Sequence, residues 1–266
     1  KLSPADLEVT LAMTRTGTLA AAGERLGVDA STVFRALQRV ERGLGQPLFE
    51  RTRSGYVPTE LAMALAEHAE ALEAALDPTV AAVLLEPVQG EGGVNPASAE
   101  YFAAVRRICT ERQILFMVDE VQTGLGRTGS WFAHQQLGVV PDVVTMAKAL
   151  GNGMPIGACW ARADVAEAFV PGDHATTYGG QPLAASAARA TLAVMEAEDV
   201  PARARRAGAR LTEELLTVAG VASVRGLGLL LGVELADGLD AREVAADALA
   251  RGLVVNAVTP TALRLA

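Results

Sequence analysis

The sequence is poor in several chemically useful residue types. Its 23 lysines and arginines include only two lysines, Lys1 and Lys148. The two cysteines, Cys109 and Cys159, fit neither a metal-site spacing nor a disulfide framework, so we predict no metal and a reducing, cytoplasmic environment. No signal peptide and no long apolar span is present, so the sequence predicts no membrane partner.

The scarcity of lysine gives weight to Lys148. Arginine supplies positive charge wherever charge alone is needed. Only lysine offers an amine that can lose its proton and bond to carbon. A chain that uses arginine at 21 of 23 basic positions and keeps an interior lysine therefore points to amine chemistry at that lysine.

Charge is unevenly distributed over the 266 residues, which suffice for one or two domains. Residues 1–58 hold eight basic and six acidic side chains, whereas residues 59–266 hold fifteen basic and twenty-five acidic ones. The overall charge of −8 argues against a protein that coats nucleic acid over its whole surface. Any nucleic-acid face is expected near the amino terminus.

The first 76 residues have the pattern of a small helical module. Two short helices are predicted at 17–28 and 29–45, joined by a tight turn at Gly27, as in a helix-turn-helix. Two short strands are predicted on either side of Arg53-Ser54-Gly55. Leucines along 59–76 are spaced as a seam for a partner helix.

This region resembles the winged helix-turn-helix and linker helix of LysR-type transcriptional regulators. The phrases "GTLAAAGERLGVDASTVFRALQRVERGLGQPLFERT" and "GYVPTELA" carry the likeness. It implies a homodimer that binds double-stranded DNA through residues 1–58, with the second helix of the motif in the major groove and the wing near phosphates. The DNA-contacting residues that the resemblance implies are Ser31, Thr32, Arg35, Gln38, Arg51 and Arg53. The alternative is a helical module that only packs.

Residues 77–266 have a different pattern, typical of an α/β domain. Apolar runs at 81–88, 114–121, 142–147 and 157–161 alternate with helical stretches. Such runs predict a mostly parallel sheet that is buried on both faces. The stretch after 200 predicts a smaller α+β lobe.

Polar clusters follow these apolar runs, where open parallel sheets bind ligands. Glu86, Gln89 and Glu91 follow the first run, Asp119 the second, and Lys148 the third. An acid and a lysine at strand ends are equally consistent with a buried salt bridge. Spacing alone thus predicts a ligand site in an α/β domain.

Four phrases extend this interpretation: "LLEPVQGEGGV", "VDEVQTGLGRTG", "TMAKALGNGMPIGA" and "HATTYGGQPLAASAA". In order and spacing they are similar to class III pyridoxal-phosphate aminotransferases, in the acetylornithine and ornithine branch. The resemblance covers 77–266 and implies a fold type I domain, with a partial large domain at 77–200 and an incomplete small lobe at 201–266. The implied cofactor is pyridoxal 5'-phosphate.

The resemblance also implies residue roles at the cofactor. Lys148 would bind the cofactor's aldehyde carbon and move the proton at the substrate α-carbon. Asp119 would pair with the pyridine nitrogen, Val121 would lie against the ring, and Gln122 would bond near its phenolic oxygen.

Further roles concern the substrate and a second subunit. Thr177 would reach the phosphate bound by the neighbouring subunit, so a homodimer is implied. Arg264 would bind a substrate carboxylate through two hydrogen bonds. Glu91 would pair with Arg264 when no substrate carboxylate is bound. Thr177 as a helix cap and Arg264 as a surface residue are the alternatives. The sequence presents His134 as an ordinary surface residue.

An intact family member has a front half before "EPVQGEGG", whereas this chain has the regulator-like segment there. We expect an aminotransferase of arginine biosynthesis, acting on an amino acid and a 2-oxo acid, with impaired turnover. The alternatives are a DNA-binding regulator with an inactive enzyme fragment and a hybrid without physiological role. Missing strands would leave sheet edges and apolar patches exposed.

Overall fold

A computed structural model describes residues 4–52, 55–76 and 78–266. The chain divides into two compact units, 1–81 and 82–266, which are described separately. The predicted boundaries after 58, 76 and 200 are finer than this division and remain predictions.

The described part of the amino-terminal unit consists of helices and one two-stranded sheet. Its elements are α1 Pro4–Thr16, α2 Leu19–Leu26, α3 Ala30–Leu44, β1 Phe49–Thr52, β2 Gly55–Pro58 and α4 Glu60–Ala75. Thr18 and Asp29 cap the starts of α2 and α3 by accepting hydrogen bonds from the amides of Ala21 and Thr32. Gly27 ends α2 with φ 67°, a left-handed conformation that glycine adopts without steric cost.

A single core holds the α2–turn–α3 pair together. Gly23 allows the chain after α2 to pass closely, because a Cβ there would lie 2.6 Å from the carbonyl oxygen of Val28. The buried side chains of this core include Met13, Ala22, Val33, Leu37, Val40, Leu48 and Phe49. The predicted helix-turn-helix is therefore confirmed.

The wing and the last helix complete this unit. β1 and β2 pair antiparallel, and the predicted turn residues Arg53 and Ser54 lie outside the described residues. Leu61 and Leu65 of α4 pack against the unit's own core, next to α1. Both side chains are only half-buried, and the predicted seam for a partner helix stays a prediction. The side chain of Leu72 is also outside the described residues.

The carboxyl-terminal unit contains two larger sheets and a short hairpin. Its strands are β3 Ala82–Leu85, β4 Val88–Gln89, β5 Asn95–Pro96, β6 Leu115–Asp119, β7 Val143–Met146, β8 Ala158–Ala161, β9 Val221–Leu227, β10 Leu230–Leu235, β11 Asn256–Ala257 and β12 Ala262–Leu265. Its α-helices are α5 Ala99–Glu111, α6 Ala163–Ala166, α7 Pro182–Ala197, α8 Val200–Leu215 and α9 Ala241–Ala250.

The first sheet has the order β3-β6-β7-β8, with β3, β6 and β7 parallel and β8 antiparallel. The predicted mostly parallel sheet is confirmed. The prediction that it is buried on both faces is wrong at its two edge strands. Leu84 of β3 is 53% exposed and Trp160 of β8 is 47% exposed, because no described layer covers them. In the centre, Phe102 of α5 packs edge-on against Phe116 of β6.

The second sheet has the order β11-β12-β10-β9, and all its neighbouring strands are antiparallel. α8 and α9 pack on it around a core that includes Val233, Leu235, Ala241 and Leu263. The β4–β5 hairpin lies beside β9. This arrangement confirms the predicted smaller α+β lobe and brings the hairpin loop next to β12.

Candidate active site

The carboxyl ends of β6 and β7 bring two predicted site residues to one edge of the parallel sheet. Asp119 ends β6 and pairs in register with Thr145 of β7. The chain reaches Lys148 three residues after Thr145. Because β6 and β7 are parallel neighbours, their acid and amine follow adjacent strand ends, where open sheets bind ligands.

Asp119 is half-buried and keeps one face toward open space. Its carboxylate accepts a hydrogen bond from the amide of Val121 at 2.9 Å. It also lines a cavity of about 500 Å³, together with Glu86, Gln89 and Tyr101. Glu86 in turn accepts a hydrogen bond from the amide of Gly90 at 2.9 Å, which holds the start of the β4–β5 loop.

Lys148 begins a short 3-10 turn directly after β7. Its φ is 46°, a left-handed conformation that is uncommon for a residue with a Cβ and that is frequent at functional sites. The side chain is exposed, and within the described residues no ion pair joins it to Asp119. The simple alternative of a buried Asp119–Lys148 salt bridge is therefore wrong.

The fully buried acid at this edge is Glu120. Its carboxylate accepts hydrogen bonds from the Thr123 hydroxyl and from the amides of Ala133 and His134, and it pairs with His134 Nδ1 at 2.9 Å. This network fastens the chain after β6. Sequence reasoning missed it. The signal was available, since consecutive strand residues point to opposite faces, so Asp119 and Glu120 meet different surroundings.

His134 is consequently not an ordinary surface residue. Its side chain is 14% exposed and stacks on Phe132 while it bonds to Glu120. The sequence prediction for His134 is wrong, because the partner that buries it lies fourteen residues away and no local pattern reveals it.

Three predicted residues meet at a second point beside the sheet edge. Arg264 of β12 donates from Nη1 to Glu91 Oε1 at 2.6 Å and to Gln122 Oε1 at 3.3 Å. Arg264 is 12% exposed and Glu91 76%. Gln122 packs tightly on the hairpin loop, since a Cβ on Gly90 would lie 2.5 Å from its Oε1. The acid and the arginine predicted to pair do form a contact, across 173 residues of sequence.

Thr177 lies in the exposed segment between α6 and α7. The structure does not bring it into hydrogen bonding with Asp119, Lys148 or Arg264. The role predicted for it concerns a neighbouring subunit, so its position stays compatible with that prediction.

The predicted DNA-contacting residues lie on α3 and β1. Ser31, Arg35, Gln38 and Arg51 are exposed and Thr32 is half-buried, while Arg53 lies outside the described residues. The Arg51 guanidinium lies over the ring of Tyr56. All described members of the set are thus available at the surface, except for the partly covered Thr32.

Asp29 organises the start of α3. Its carboxylate accepts hydrogen bonds from the Ser31 and Thr32 hydroxyls and from the Thr32 amide. These bonds, the Ser31 bond first, lower the pKa of Asp29 from 3.8 to about 2. Arg35 then donates from Nη2 to the Thr32 hydroxyl at 3.2 Å. The carboxylate therefore stays ionised and orients the neighbouring polar side chains.

The fold and the strand-end residues together define an α/β domain that gathers polar side chains at the carboxyl edge of its parallel sheet. The family described as "Aminotransferase class-III" matches residues 44–266, so the chain belongs to the class-III aminotransferase family. The family described as "Bacterial regulatory helix-turn-helix protein, lysR family" matches residues 4–63. The two matches overlap at the wing and the start of α4.

Similar proteins include acetylornithine aminotransferases and ornithine aminotransferases. An acetylornithine aminotransferase of Corynebacterium efficiens is 52% identical over 190 residues, which is 71% of this chain and 47% of that protein. Another, from Bacillus subtilis, is 48% identical over 70% of this chain and 49% of its own length. The ornithine aminotransferase structure of Toxoplasma gondii has a TM-score of 0.68 at 38% identity, covering 73% of this chain and 48% of that one. This chain spans about half the length of the curated relatives it matches.

Pyridoxal phosphate is the cofactor of this family, and a second structure of the Toxoplasma enzyme is described with partial occupancy of it. The residues of this chain fit the ring end of the cofactor. A half-buried carboxylate, Asp119, faces a cavity, and an exposed primary amine, Lys148, follows the neighbouring strand. Among the predicted cofactor-binding residues, only Thr177, through its hydroxyl, is expected to contact the phosphate.

One further finding concerns membranes. Among the helices of the described residues, none combines the length and the apolar character needed to cross a bilayer.

Proposed function

We propose that the carboxyl-terminal unit carries a transaminase site of the acetylornithine and ornithine type, which moves an amino group from an amino acid to 2-oxoglutarate. The observation that carries the proposal is the contact of Arg264 with Glu91 and Gln122, because it joins distant segments at the edge that holds Asp119. The chain spans about half the length of the curated relatives, so the whole reaction is part of this proposal.

Asp119, Val121 and Lys148 would hold the cofactor. The Asp119 carboxylate would accept a hydrogen bond from the protonated ring nitrogen and favour its protonated form. Val121 would cover one ring face, and Gln122 would donate to the phenolic oxygen. When bound, pyridoxal phosphate supplies the electron sink that stabilises negative charge at the substrate α-carbon. Lys148 Nζ would take the proton from that carbon and return it.

Arg264 and Glu91 would sort the two substrates. A guanidinium binds a carboxylate through two parallel hydrogen bonds, so Arg264 would hold a carboxylate of the 2-oxo acid. Glu91 would occupy Arg264 when that carboxylate is absent. An exposed ion pair is worth at most about 1 kcal/mol, which an incoming dicarboxylate can replace.

A labelling experiment tests the cofactor site. The protein is mixed with pyridoxal phosphate, reduced with borohydride, and its modified peptides are mapped. We expect the label at Lys148 and its loss in Lys148→Ala. Lys1, the other lysine of the chain, is the internal control. Equal labelling of both lysines, or none at all, would contradict the proposal.

A second proposed function is DNA binding by residues 1–58 as part of a homodimer. In the same homodimer, Thr177 would reach the cofactor site of the partner subunit. The lysR-family match to 4–63 and the described α2–turn–α3 and β1–β2 elements favour it. Arg35 would contact base edges and Arg51 phosphates. Arg53 shares the wing role predicted for Arg51.

Duplex binding measured by fluorescence polarisation over a salt series tests this second function. Arg35→Ala should weaken binding by about 5- to 150-fold, the effect of losing a good contact to a base edge. Arg242→Ala, which removes an exposed charge on α9, is the matched control and should leave binding unchanged. Wild-type protein that binds no duplex at low salt would overturn DNA binding without affecting the transaminase proposal.

A further inference from the structure

Arg225 of β9 fastens the loop that carries Glu91. Its Nε and Nη2 donate to the carbonyl oxygen of Gly93 at 3.0 and 2.7 Å, and Nε also reaches the Val94 carbonyl at 3.2 Å. Its Nη1 donates to Glu234 Oε2 at 2.7 Å. One guanidinium therefore ties two carbonyls of the hairpin loop to the second sheet.

The sheet register explains why this contact bears on the site. Gly232 of β10 is paired with Arg225 on one side and with Arg264 on the other. A Cβ on Gly232 would lie 2.9 Å from the Cβ of Val94 and 3.2 Å from the Gly93 carbonyl oxygen. Gly232, which has no side chain, thus lets the loop pack closely on β10. The two arginines that pair with it on the neighbouring strands lie on either side of this contact. Arg225 binds the loop backbone, and Arg264 binds its Glu91 side chain.

Other contacts hold the rest of the loop in place against β10. Val94 is fully buried against Val88 and Leu230 although its φ is 55°. Asn95 donates from Nδ2 to the Gly92 carbonyl at 2.7 Å. Hydrogen bonds from Thr261 and then Arg225 lower the pKa of Glu234, so its charge keeps the Arg225 guanidinium in place.

We propose that Arg225 is a positioning residue, which holds the loop on Gly232 so that the exposed Glu91 carboxylate stays on Arg264 and governs access to that arginine. This inference rests on the proposed transaminase function for its purpose. Glu91 is largely exposed, and an exposed ion pair gains little once the entropy of two long side chains is lost. Because Arg225 already fixes the loop, less conformational entropy is lost when Glu91 pairs with Arg264.

Chemical modification of Arg264 tests the proposal without cofactor or turnover. Phenylglyoxal reacts with accessible guanidinium groups, and peptide mapping gives the rate at each arginine. We expect Arg225→Ala to raise the rate at Arg264 on the order of two- to fivefold, the value of an exposed ion pair. Glu91→Gln should give the same rise. The double variant should give no further rise, since each single change already removes the same Glu91–Arg264 contact.

Two variants separate positioning from a general loss of structure. Arg205→Ala is the matched control, because Arg205 also donates from Nε and Nη2 to a glycine carbonyl, that of Gly129. It should leave the rate at Arg264 unchanged. Gly232→Ala should reproduce the rise without removing a charge, and Arg225→Lys should restore part of the protection, because lysine keeps one donor. If Arg225→Ala fails to fold, Gly232→Ala and Arg225→Lys decide the question.

A wild-type rate at Arg264 in folded Arg225→Ala would overturn the proposal, as would fully additive effects of Arg225→Ala and Glu91→Gln. The substrate proposal is tested separately in the same assay with added 2-oxoglutarate. The dicarboxylate should protect Arg264 at a several-fold lower concentration in Arg225→Ala than in wild type. Absence of protection in every variant, including wild type, would contradict the proposed substrate while leaving the loop contact intact.

Discussion

The two units of the chain differ in how completely they bury their apolar residues. In the described part of the amino-terminal unit, apolar side chains of four helices and the wing share one core. In the carboxyl-terminal unit, both edge strands of the parallel sheet expose large apolar side chains, the segment before α7 exposes Phe169 and Tyr178, and α7 itself exposes Leu183. The comparison shows that a local site geometry can form on a sheet whose outer strands stay open.

The largest expected effect follows from truncating Phe102, the α5 side chain that packs on the centre of the parallel sheet. Phe102→Ala should destabilise the carboxyl-terminal unit by about 3–5 kcal/mol, because it leaves a cavity against Phe116. Both tryptophans, Trp131 and Trp160, lie in this unit, so tryptophan fluorescence during urea unfolding reports on it alone.

The exposed neighbour Tyr101 provides the control for that prediction. Tyr101→Ala should have a much smaller effect on the tryptophan transition. DNA affinity should be unchanged in both variants. A parallel loss of DNA binding in Phe102→Ala would break the distinction between two independent units.

A smaller effect is expected from the turn after Lys148. A Cβ on Gly151 would lie 2.1 Å from the Met154 carbonyl oxygen, so Gly151→Ala should displace the turn at a cost of about 1–3 kcal/mol. Labelling of Lys148 by pyridoxal phosphate and borohydride should fall several-fold. Gly157→Ala, whose Cβ would have ordinary contacts, should label like wild type. Equal labelling of both variants would show that the turn does not position the lysine.

The open sheet edge predicts self-association. Leu84→Lys should reduce association measured by sedimentation velocity, with a stability change within about 0.5 kcal/mol, because the side chain is already exposed. Val57→Lys places the same charge on an exposed wing position of the amino-terminal unit and should leave association unchanged. An identical decrease in both variants would mean that net charge, rather than the sheet edge, controls association.

The smallest expected effect is a pH dependence of the amino-terminal unit. The folded-state pKa of Asp29, about 2, lies below its ordinary 3.8, so its stabilising effect is complete above the ordinary pKa and is lost as the pH falls between about 4 and 2. Asparagine caps a helix equally well but does not titrate. The difference in melting temperature between wild type and Asp29→Asn should therefore shrink over this window. A constant difference would contradict the assigned Asp29 network.

The sequence predicted the helix-turn-helix, the parallel strands and the smaller lobe, because these follow from local periodicity, glycine turns and family phrases. It also predicted the Arg264–Glu91 pair, although only through the family resemblance. It missed the Glu120–His134 network and the Arg225 contact with Gly93, since both join distant segments through side-chain and backbone polar groups. The burial expected for the sheet was wrong at the edge strands. An apolar run in the sequence predicts a strand, but it does not show whether another strand or helix covers that strand in the fold.

The central claim is that Asp119 and Lys148 serve one ligand at the carboxyl edge of the parallel sheet. The most direct measurement is the extent of pyridoxal-phosphate labelling at Lys148 in wild type, in Asp119→Asn and in Glu111→Gln, where Glu111 is an exposed acid of α5. We predict a large decrease at Lys148 in Asp119→Asn, none in Glu111→Gln and no change at Lys1. Identical labelling of Lys148 in all three proteins would contradict the account.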